Sequence, residues 1–224
     1  MSIKKTKHKD RKKPGKGKKS RKLSKAERAD RHALYEQSVQ STEFEYEFID
    51  TNFRRIRGRT ATLLREDFCG TAQMCCEWVR GRAENQAVGV DLDDEVLEWG
   101  REHHITALQP AQRDHVTLLQ ADVREVKTDP VDIVLAMNFS YYLFLQRHEL
   151  LAYFCNVLDG LMDDGLFFLD AYGGYDSHKE LTEEREIDDG GDGFTYIWEQ
   201  SRFNPIDQTL RCHIHFAFPD GSEL

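Results

Sequence analysis

A glycine in a tight turn and an aspartate 21 residues later are the residues whose types and spacing best suit ligand chemistry. Gly70 follows a short apolar run and precedes a segment of helical character. A strand, a glycine-containing turn and a helix N-terminus together let backbone N–H groups approach a ligand closely. Asp91 ends the next apolar run, and an acid at about that distance hydrogen-bonds both ribose hydroxyls in nucleotide-binding α/β domains. The pattern therefore predicts a ribose-binding carboxylate at Asp91 and leaves Asp93 as the N-cap of the following helix.

Asp122 and Asn138 follow the third and fourth apolar runs in the same way. Ligands of open α/β sheets bind at the carboxyl ends of the strands, which lie side by side at one edge. We therefore expect the loops at Gly70, Asp91 and Asp122 to converge on one crevice, with Asn138 in the loop after the fourth strand.

Short apolar runs alternate with helical segments through the middle of the chain. The apolar runs are residues 61–64, 87–90, 116–119, 131–137 and 166–169, and the helical segments are residues 72–82, 93–104 and 147–158. Strands that alternate with helices require right-handed crossovers and give a mainly parallel sheet. The predicted fold class is therefore α/β, with a Rossmann-like mainly parallel sheet and flanking helices.

N-terminal helices and a C-terminal hairpin are predicted on either side of this sheet. Ser24, with Glu27 three residues later, has the pattern of a capping box and predicts a helix over residues 24–40. A second helix is predicted through residues 44–53. The C-terminal part is predicted as an acidic connection over 175–192, then an antiparallel β-hairpin of residues 194–203 and 210–218 around turn chemistry at 204–207.

Residues 60–171 resemble the class I methyltransferases, which use S-adenosylmethionine. The likeness rests on the turn at 65–72, the acid at Asp91 and the acid at Asp122. It implies that the turn holds the methionine part of the cofactor, that Asp91 holds the ribose, and that the ends of the second and third strands hold the adenine. The residues implicated are Glu66, Cys69 and Gly70 for methionine, Asp91 for ribose, and Leu92, Asp122 and Val123 for adenine.

Two positions of the turn depart from the glycine-rich pattern of that family. Phe68 and Ala72 stand where the family usually has its first and third glycines, so that only Gly70 remains. A pyrophosphate needs the first two glycines for close approach of the backbone, whereas S-adenosylmethionine has no phosphate. The sequence therefore favours S-adenosylmethionine over NAD, and an NAD-dependent oxidoreductase is the weaker alternative.

Residues 138–141 lie where the family places a substrate-facing loop. The segment is similar to the Asn-x-Pro-aromatic signature of amino-group methyltransferases, with Ser140 in place of the proline. The resemblance implies that Asn138, beside the cofactor, and Tyr141 orient the methyl acceptor, with Tyr142 a weaker candidate. The alternative is that the aromatic side chains of this loop simply pack where the sheet meets the next helix.

The charge of the chain is divided between two opposed parts. The first 25 residues hold 13 Lys or Arg and one acid, so that they carry +12 and the rest of the chain −21 of the formal net charge of −9. A polybasic stretch without apolar residues buries too little surface to order itself. The predicted organisation is thus a disordered basic tail over 1–23, an N-terminal helical segment over 24–57 and a methyltransferase-like α/β domain over 58–224.

The tail is interpreted as an electrostatic tether to RNA, the ribosome or another polyanion. The alternative is that it is a solubilising tail, or one that folds back on the acidic body. The charge of −21 on the body argues against a broad phosphate-binding surface. The methyl acceptor is therefore expected to be a small molecule under a lid of N-terminal helices and hairpin, or an RNA or protein reached through the tail. The alternative function is a non-catalytic methyltransferase-like module tethered to nucleic acid or ribosome.

Several other classes of protein and site are disfavoured. The absence of a membrane-spanning apolar run and of a secretory signal predicts a cytoplasmic protein that makes no membrane contact. Five cysteines without a C-x-x-C pair argue against a disulfide framework and a zinc site. His213 and His215 share a strand face, which alternation explains better than a metal, so no metal site is predicted.

The C-terminal hairpin has two interpretations, because the sheet of the resembling family has seven strands. The hairpin supplies the last two strands, or it is an insertion and the chain lacks its C-terminal end. We expect the second, since residues 175–192 make a poor crossover helix.

Overall fold

The computed structural model describes residues 22–39 and 41–224. Residues 1–21, which make up most of the predicted basic tail, lie outside the described residues, as does Gln40.

A five-stranded parallel sheet forms the centre of the molecule, as the alternation of apolar runs predicted. Its strands are β1 (Leu63–Asp67), β2 (Gln86–Asp91), β3 (Val116–Gln120), β4 (Val131–Ala136) and β5 (Leu161–Leu169), in the order β3-β2-β1-β4-β5. The chain starts in the middle of the sheet, moves outward to β3 and then crosses to β4 on the other side of β1. This reversal places the crevice of the sheet beside the carboxyl end of β1.

Helices cover both faces of this sheet. They are α3 (Thr42–Arg57), α4 (Gln73–Gly81), α5 (Asp94–Gly100), the short α6 (Pro110–Arg113) and α7 (Arg147–Asp159), and a π-helical turn, Arg101–Ile105, continues α5. Trp78 of α4 and Phe53 of α3 are fully buried on one face, where they pack in the same cluster as Ile133 of β4. Tyr153 of α7 is buried on the other face.

The N-terminal helix predicted over residues 24–40 is wrong in one respect, because the structure has two helices there. Helix α1 (Lys25–Arg28) begins with the predicted capping box of Ser24 and Glu27, and α2 (Arg31–Val39) follows after a break. The break occurs because Ala29 is extended and the Asp30 carboxylate accepts hydrogen bonds from the backbone N–H groups of the next turn. Asp30 thus acts as the cap of a new helix.

The C-terminal part forms a second sheet, which is antiparallel and separate from the first. Its strands are β6 (Leu181–Ile187), β7 (Phe194–Phe203) and β8 (Leu210–Ala217), in that order. The hairpin of β7 and β8 is confirmed, whereas the connection predicted over 175–192 is wrong because it contains β6. Residues 182–186 of this strand are all polar and exposed, so the sequence has no apolar alternation there that would predict a strand. In the part of the chain that the structure describes, the hairpin does not extend the parallel sheet.

Helices α1 and α2 pack against the antiparallel sheet. Leu34 of α2 shares a buried cluster with Phe194, Tyr196 and Phe216, and the backbone N–H of Lys25 donates to Asp220 at 2.8 Å. None of the helices between residues 22 and 224 has the length and apolar character needed to cross a membrane.

Candidate active site

The turn between β1 and α4 contains one glycine, but three of its residues have the backbone conformation that favours glycine. Phe68, Gly70 and Ala72 all have left-handed φ values, of 59°, 52° and 60°. A side chain in this region costs about 1–2 kcal/mol per residue. Packing holds the strained residues in place: the Phe68 ring contacts Phe144 and Tyr153, with centroids 5.9 and 5.7 Å apart, and Ala72 is completely buried. The backbone path at the two substituted positions is therefore maintained by the hydrophobic core.

Asp91 is anchored to this turn. Its Oδ2 accepts a hydrogen bond from the Gly70 backbone N–H at 2.8 Å, and its Oδ1 accepts one from the Asp93 N–H at 3.0 Å. The Asp93 carboxylate in turn accepts from two N–H groups of α5, as expected of its N-cap. The carboxylate of Asp91 is thereby held at the junction of the two loops.

A cavity of about 590 Å³ opens at the carboxyl edge of the parallel sheet, and we call it the sheet-edge cavity. Its lining includes five of the residues predicted from sequence: Asp91, Leu92, Asp122, Val123 and Asn138. The other lining residues are Phe68, Ala121, Arg124, Phe139, Ser140, Tyr142, Leu143, Phe144 and Leu210. The loops after β2, β3 and β4 therefore meet at one site, and the β1 turn adjoins it through Phe68.

Asp122 has a partner that the sequence did not indicate. Its two carboxylate oxygens accept from Arg124, with the closest distance, from Nη2 to Oδ2, at 2.6 Å. These hydrogen bonds hold the pKa of Asp122 below its ordinary value. The Arg124 guanidinium also lies 5.2 Å from the centroid of the Phe144 ring. A carboxylate oxygen can accept a second hydrogen bond, so that Asp122 keeps acceptor capacity toward the cavity.

Glu66 and Cys69 lie beneath the turn, and neither lines the cavity that the described residues enclose. The Glu66 carboxyl accepts hydrogen bonds from the backbone N–H of Cys75, at 3.2 Å, and from its thiol, at 3.0 Å. Burial raises the pKa of Glu66 to about 8. The Cys69 backbone N–H donates a hydrogen bond to the Val90 carbonyl oxygen at 3.0 Å. Burial raises the pKa of the Cys69 thiol. Both residues support the turn from the interior.

A second, larger cavity of about 740 Å³ lies between α2, the loops after β4 and β5, and the antiparallel sheet. We call it the lid cavity. Its lining is Tyr35, Ser38, Val39, Asn138, Phe139, Tyr172, Glu183, Glu184, Arg185, Tyr196, Trp198 and Ile214. Asn138 and Phe139 line both cavities, so that the two spaces meet at the loop after β4.

The backbone of this shared loop is unusual, because Asn138 and Phe139 are consecutive left-handed residues with φ of 56° and 44°. Strained residues of this kind concentrate at functional sites. The Phe139 N–H donates to Asp170 Oδ1 at 2.6 Å, which ties the loop to the end of β5. Among the residues that the structure describes, none hydrogen-bonds the Asn138 side chain, which leaves its amide available to a ligand.

Comparisons with solved structures assign the fold. CalS10 of Micromonospora echinaspora, an amino pentose methyltransferase with bound S-adenosylmethionine, matches with a TM-score of 0.67 and 16% identity over 86% of this chain and 78% of that chain. The chain has the fold of a class I methyltransferase. DesVI of Streptomyces venezuelae matches with a TM-score of 0.66 and 18% identity, over 86% and 77% of the two chains. The sugar N-methyltransferase KedS8 of a Streptoalloteichus species gives 0.65 and 16%, over 94% and 80%. No family model and no curated protein matches the sequence.

Within this methyltransferase fold, the two tyrosines after Asn138 point to different places. Tyr141 is buried in the core beside Tyr153, where burial raises its pKa to about 12, and it lines neither cavity among the described residues. Tyr142 lines the sheet-edge cavity, and its hydroxyl donates to the Tyr172 carbonyl at 3.0 Å. The structure thus places Tyr142, the weaker candidate from sequence, at the cavity and Tyr141 in the core; both belong to the 3₁₀ turn Ser140–Leu143, which follows the left-handed pair.

Helix α2 is joined to the turn by an acid that sequence reasoning missed. Glu36 Oε1 accepts a short hydrogen bond from the Thr71 hydroxyl and lies 2.6 Å from Nε2 of His104. Just before the first residue of α2, the Asp30 carboxylate accepts a hydrogen bond from the Trp99 indole N–H at 2.6 Å. The apolar spacing of α2 indicates one packed face, and nothing in its sequence shows that Glu36 faces the body. This helix therefore contacts both the antiparallel sheet and the loop at Gly70.

Residues 22–39 and 41–224 contain no group of three or more His, Cys, Asp or Glu side chains that could hold a metal ion. His213 and His215 follow the alternation of β8, and the ring of His215 lies near the carboxylates of Glu199 and Glu223, at 3.3 and 3.1 Å.

Proposed function

We propose that this chain is an S-adenosylmethionine-dependent methyltransferase that acts on a small-molecule acceptor. The observation that carries the proposal is the pair of cavities that meet at Asn138 and Phe139. One contains the acids expected for an adenosine, and the other is an adjoining, partly open space large enough for an acceptor.

The residues of the sheet-edge cavity fit an adenosine. Asp91 offers a fixed carboxylate to ribose hydroxyls, Leu92 an apolar surface to adenine, and Asp122 an acceptor to the exocyclic amino group. Phe68 lines the cavity at the position where a dinucleotide-binding turn needs its first glycine, which disfavours a pyrophosphate. S-adenosylmethionine supplies a methyl group on a cationic sulfur, a leaving group that needs no acid.

The protein's own task is then to position the acceptor. Holding the nucleophile in line at roughly 3–3.5 Å from the methyl carbon can lower the activation barrier by on the order of 7–11 kcal/mol. We propose Asn138 for this role, because its amide, which no described residue hydrogen-bonds, lies at the boundary of the two cavities. Tyr142, rather than the buried Tyr141, is the better aromatic candidate on the cofactor side.

The size of the lid cavity supports a small acceptor. Its volume of about 740 Å³ is within the ordinary range for small-molecule sites. CalS10 and KedS8 are a methyltransferase of an amino pentose and of a sugar nitrogen, respectively. The likeness to these proteins agrees with a small acceptor, and the cavity gives this chain a place for one.

Calorimetric titration of S-adenosylhomocysteine into the purified chain tests the proposal. We expect binding to the unmodified protein and about 100-fold weaker binding to Asp91→Ala, because two charge-assisted hydrogen bonds to ribose are lost. Asp94→Ala, an exposed acid of α5, is the matched control and should bind normally. Asn138→Ala should keep its affinity within a few-fold, since we assign Asn138 to the acceptor.

Failure of the unmodified chain to bind would overturn the proposal and favour a non-catalytic module. Binding of NADH in the same titration, without binding of S-adenosylhomocysteine, would instead favour an oxidoreductase.

A further inference from the structure

We infer that the methyl acceptor is an amine, whose nitrogen is recognised in the lid cavity by the aromatic rings of Phe139, Tyr172 and Trp198 together with the Glu183 carboxylate. The inference rests on the proposed methyltransferase function and names the substrate class of that site.

The three rings form one continuous wall. Phe139 and Trp198 meet edge to face, with centroids 6.2 Å apart and planes at 85°. Tyr172 completes the cluster, with its centroid 5.5 Å from that of Phe139 and 6.4 Å from that of Trp198. Rings at different angles present their negative faces in more than one direction, an arrangement that attracts ammonium groups.

Glu183 adds a full negative charge to this wall. It pairs with Trp198 in the register of β6 and β7, which places the carboxylate-bearing residue beside the indole. Burial is the main cause of the raised pKa of Tyr172, and the negative charge of Glu183 raises that pKa further. The wall therefore combines aromatic faces and a carboxylate, the two groups that stabilise an organic cation.

The cation of the cavity, Arg185, is already engaged. Its guanidinium donates to the Ser38 carbonyl by a short hydrogen bond and lies 5.4 Å from the centroid of the Tyr196 ring. Tyr196 is therefore unavailable to a ligand cation, and Arg185 is committed to holding α2 on the sheet. Arg185 keeps its positive charge in these contacts, so that Glu183, Glu184 and Arg185 together give the described lining of the lid cavity a net charge of −1.

The reaction moves positive charge into this environment. The lone pair of a neutral amine forms the new N–C bond as the C–S bond breaks, and the electron pair of that bond stays on sulfur to give a neutral thioether. Nitrogen becomes the cation and later loses a proton to water if it carries one. Negative groups that are fixed around a position where positive charge develops lower the barrier of the reaction. Phe139 lines both cavities and so places the wall next to the point of transfer.

Choline and 3,3-dimethylbutan-1-ol test this inference, because they have the same shape and differ in charge. The trimethylammonium group of choline resembles a methylated amine product. We expect the unmodified chain, in the presence of S-adenosylhomocysteine, to bind choline at least about 10-fold more tightly than the neutral alcohol. Glu183→Gln should reduce that preference several-fold. Glu186→Gln, with the same charge change three residues along β6 and outside the lid cavity, should leave it unchanged.

Equal binding of the two probes, no binding of choline, or an equal effect of both substitutions would overturn the inference. Titration of S-adenosylhomocysteine alone on the same samples reports on the proposed function separately. Normal cofactor binding without choline selectivity would reject the amine and leave the methyltransferase proposal standing. Absence of cofactor binding would reject the methyltransferase.

Discussion

Glu66 is a buried carboxyl group beneath the candidate cofactor turn. Its contacts are the backbone and thiol of Cys75, and burial is the main reason that its pKa rises from 4.5 to about 8. The negative charges of Glu45 and Asp91 raise it further. The neutral form of Glu66 is therefore the one that the folded state favours around the turn.

A dependence of stability on pH follows from this raised pKa. A group with a higher pKa in the folded state stabilises the fold fully below its unfolded pKa, and that stabilisation is lost as the pH rises through the folded pKa. Between about pH 5 and pH 9 the free energy of unfolding should fall, by up to about 4 kcal/mol from this group. Glu66→Gln should remove most of this fall in denaturant unfolding series. Glu47→Gln, at an exposed position of α3, should retain it, and parallel curves for all three proteins would contradict the expected role of Glu66.

Several residues that the sequence spacing singled out lie together at the sheet-edge cavity. Asp91, Asp122 and Asn138 each follow a strand, and parallel strands bring their carboxyl ends to one edge, so that these residues meet regardless of the details of the loops. The placement of Tyr141 and Tyr142 did not follow from the spacing. Their directions depend on two left-handed residues, neither of which is glycine, and no local pattern indicates those.

At the scale of elements, α2 is the piece that joins the two layers. Leu34 packs on the antiparallel sheet, whereas Glu36 contacts Thr71 in the turn and His104 after α5. The helix therefore forms one wall of the lid cavity and is tied to the turn from which the candidate cofactor site is built. Opening of α2 would remove one wall of the lid cavity and release the contact between Glu36 and the turn.

The Glu36 contacts are expected to keep α2 closed. Glu36→Ala removes two hydrogen-bonded contacts at a side chain that is 10% exposed, and should lower the free energy of local opening by about 1–3 kcal/mol. Amide exchange should accelerate in Arg31–Val39 and change little in β1. Gln37→Ala, at the exposed neighbouring position, serves as the control. Equal acceleration in α2 and β1 would show that Glu36 acts on global stability rather than on this helix.

The parallel layer was predictable because each of its strands is an apolar run between helices. The antiparallel layer was only half predictable. Strands β7 and β8 alternate in burial, whereas β6 has exposed side chains from Thr182 to Glu186 and joins the sheet by backbone pairing with β7. Pairing of this kind depends on a neighbouring strand that is already in place, and the polar sequence of β6 does not show it.

At the scale of the whole molecule, the basic tail and the acidic remainder of the chain differ in the ligands that their charges attract. The part of the chain after residue 25 carries −21 and contains the acidic strand β6, which disfavours a polyanion in the lid cavity. Any contact with RNA or the ribosome is thus expected to come from the basic residues of the tail, and to be independent of the candidate cofactor site.

Deletion of residues 1–23 tests this division of roles. The cut leaves Ser24 and its capping box with Glu27 intact, so that α1 keeps its N-terminal hydrogen bonds. If the tail is a tether, the full chain should bind a single-stranded RNA oligonucleotide with an affinity that falls steeply with salt, with a logarithmic slope of about −4 for some six phosphate contacts. The deletion should abolish that binding and leave the affinity for S-adenosylhomocysteine unchanged. RNA binding that survives the deletion would place the contact on the body, whereas a full chain that ignores RNA would favour the solubilising role. A loss of cofactor affinity on deletion would contradict the independence of the two ends.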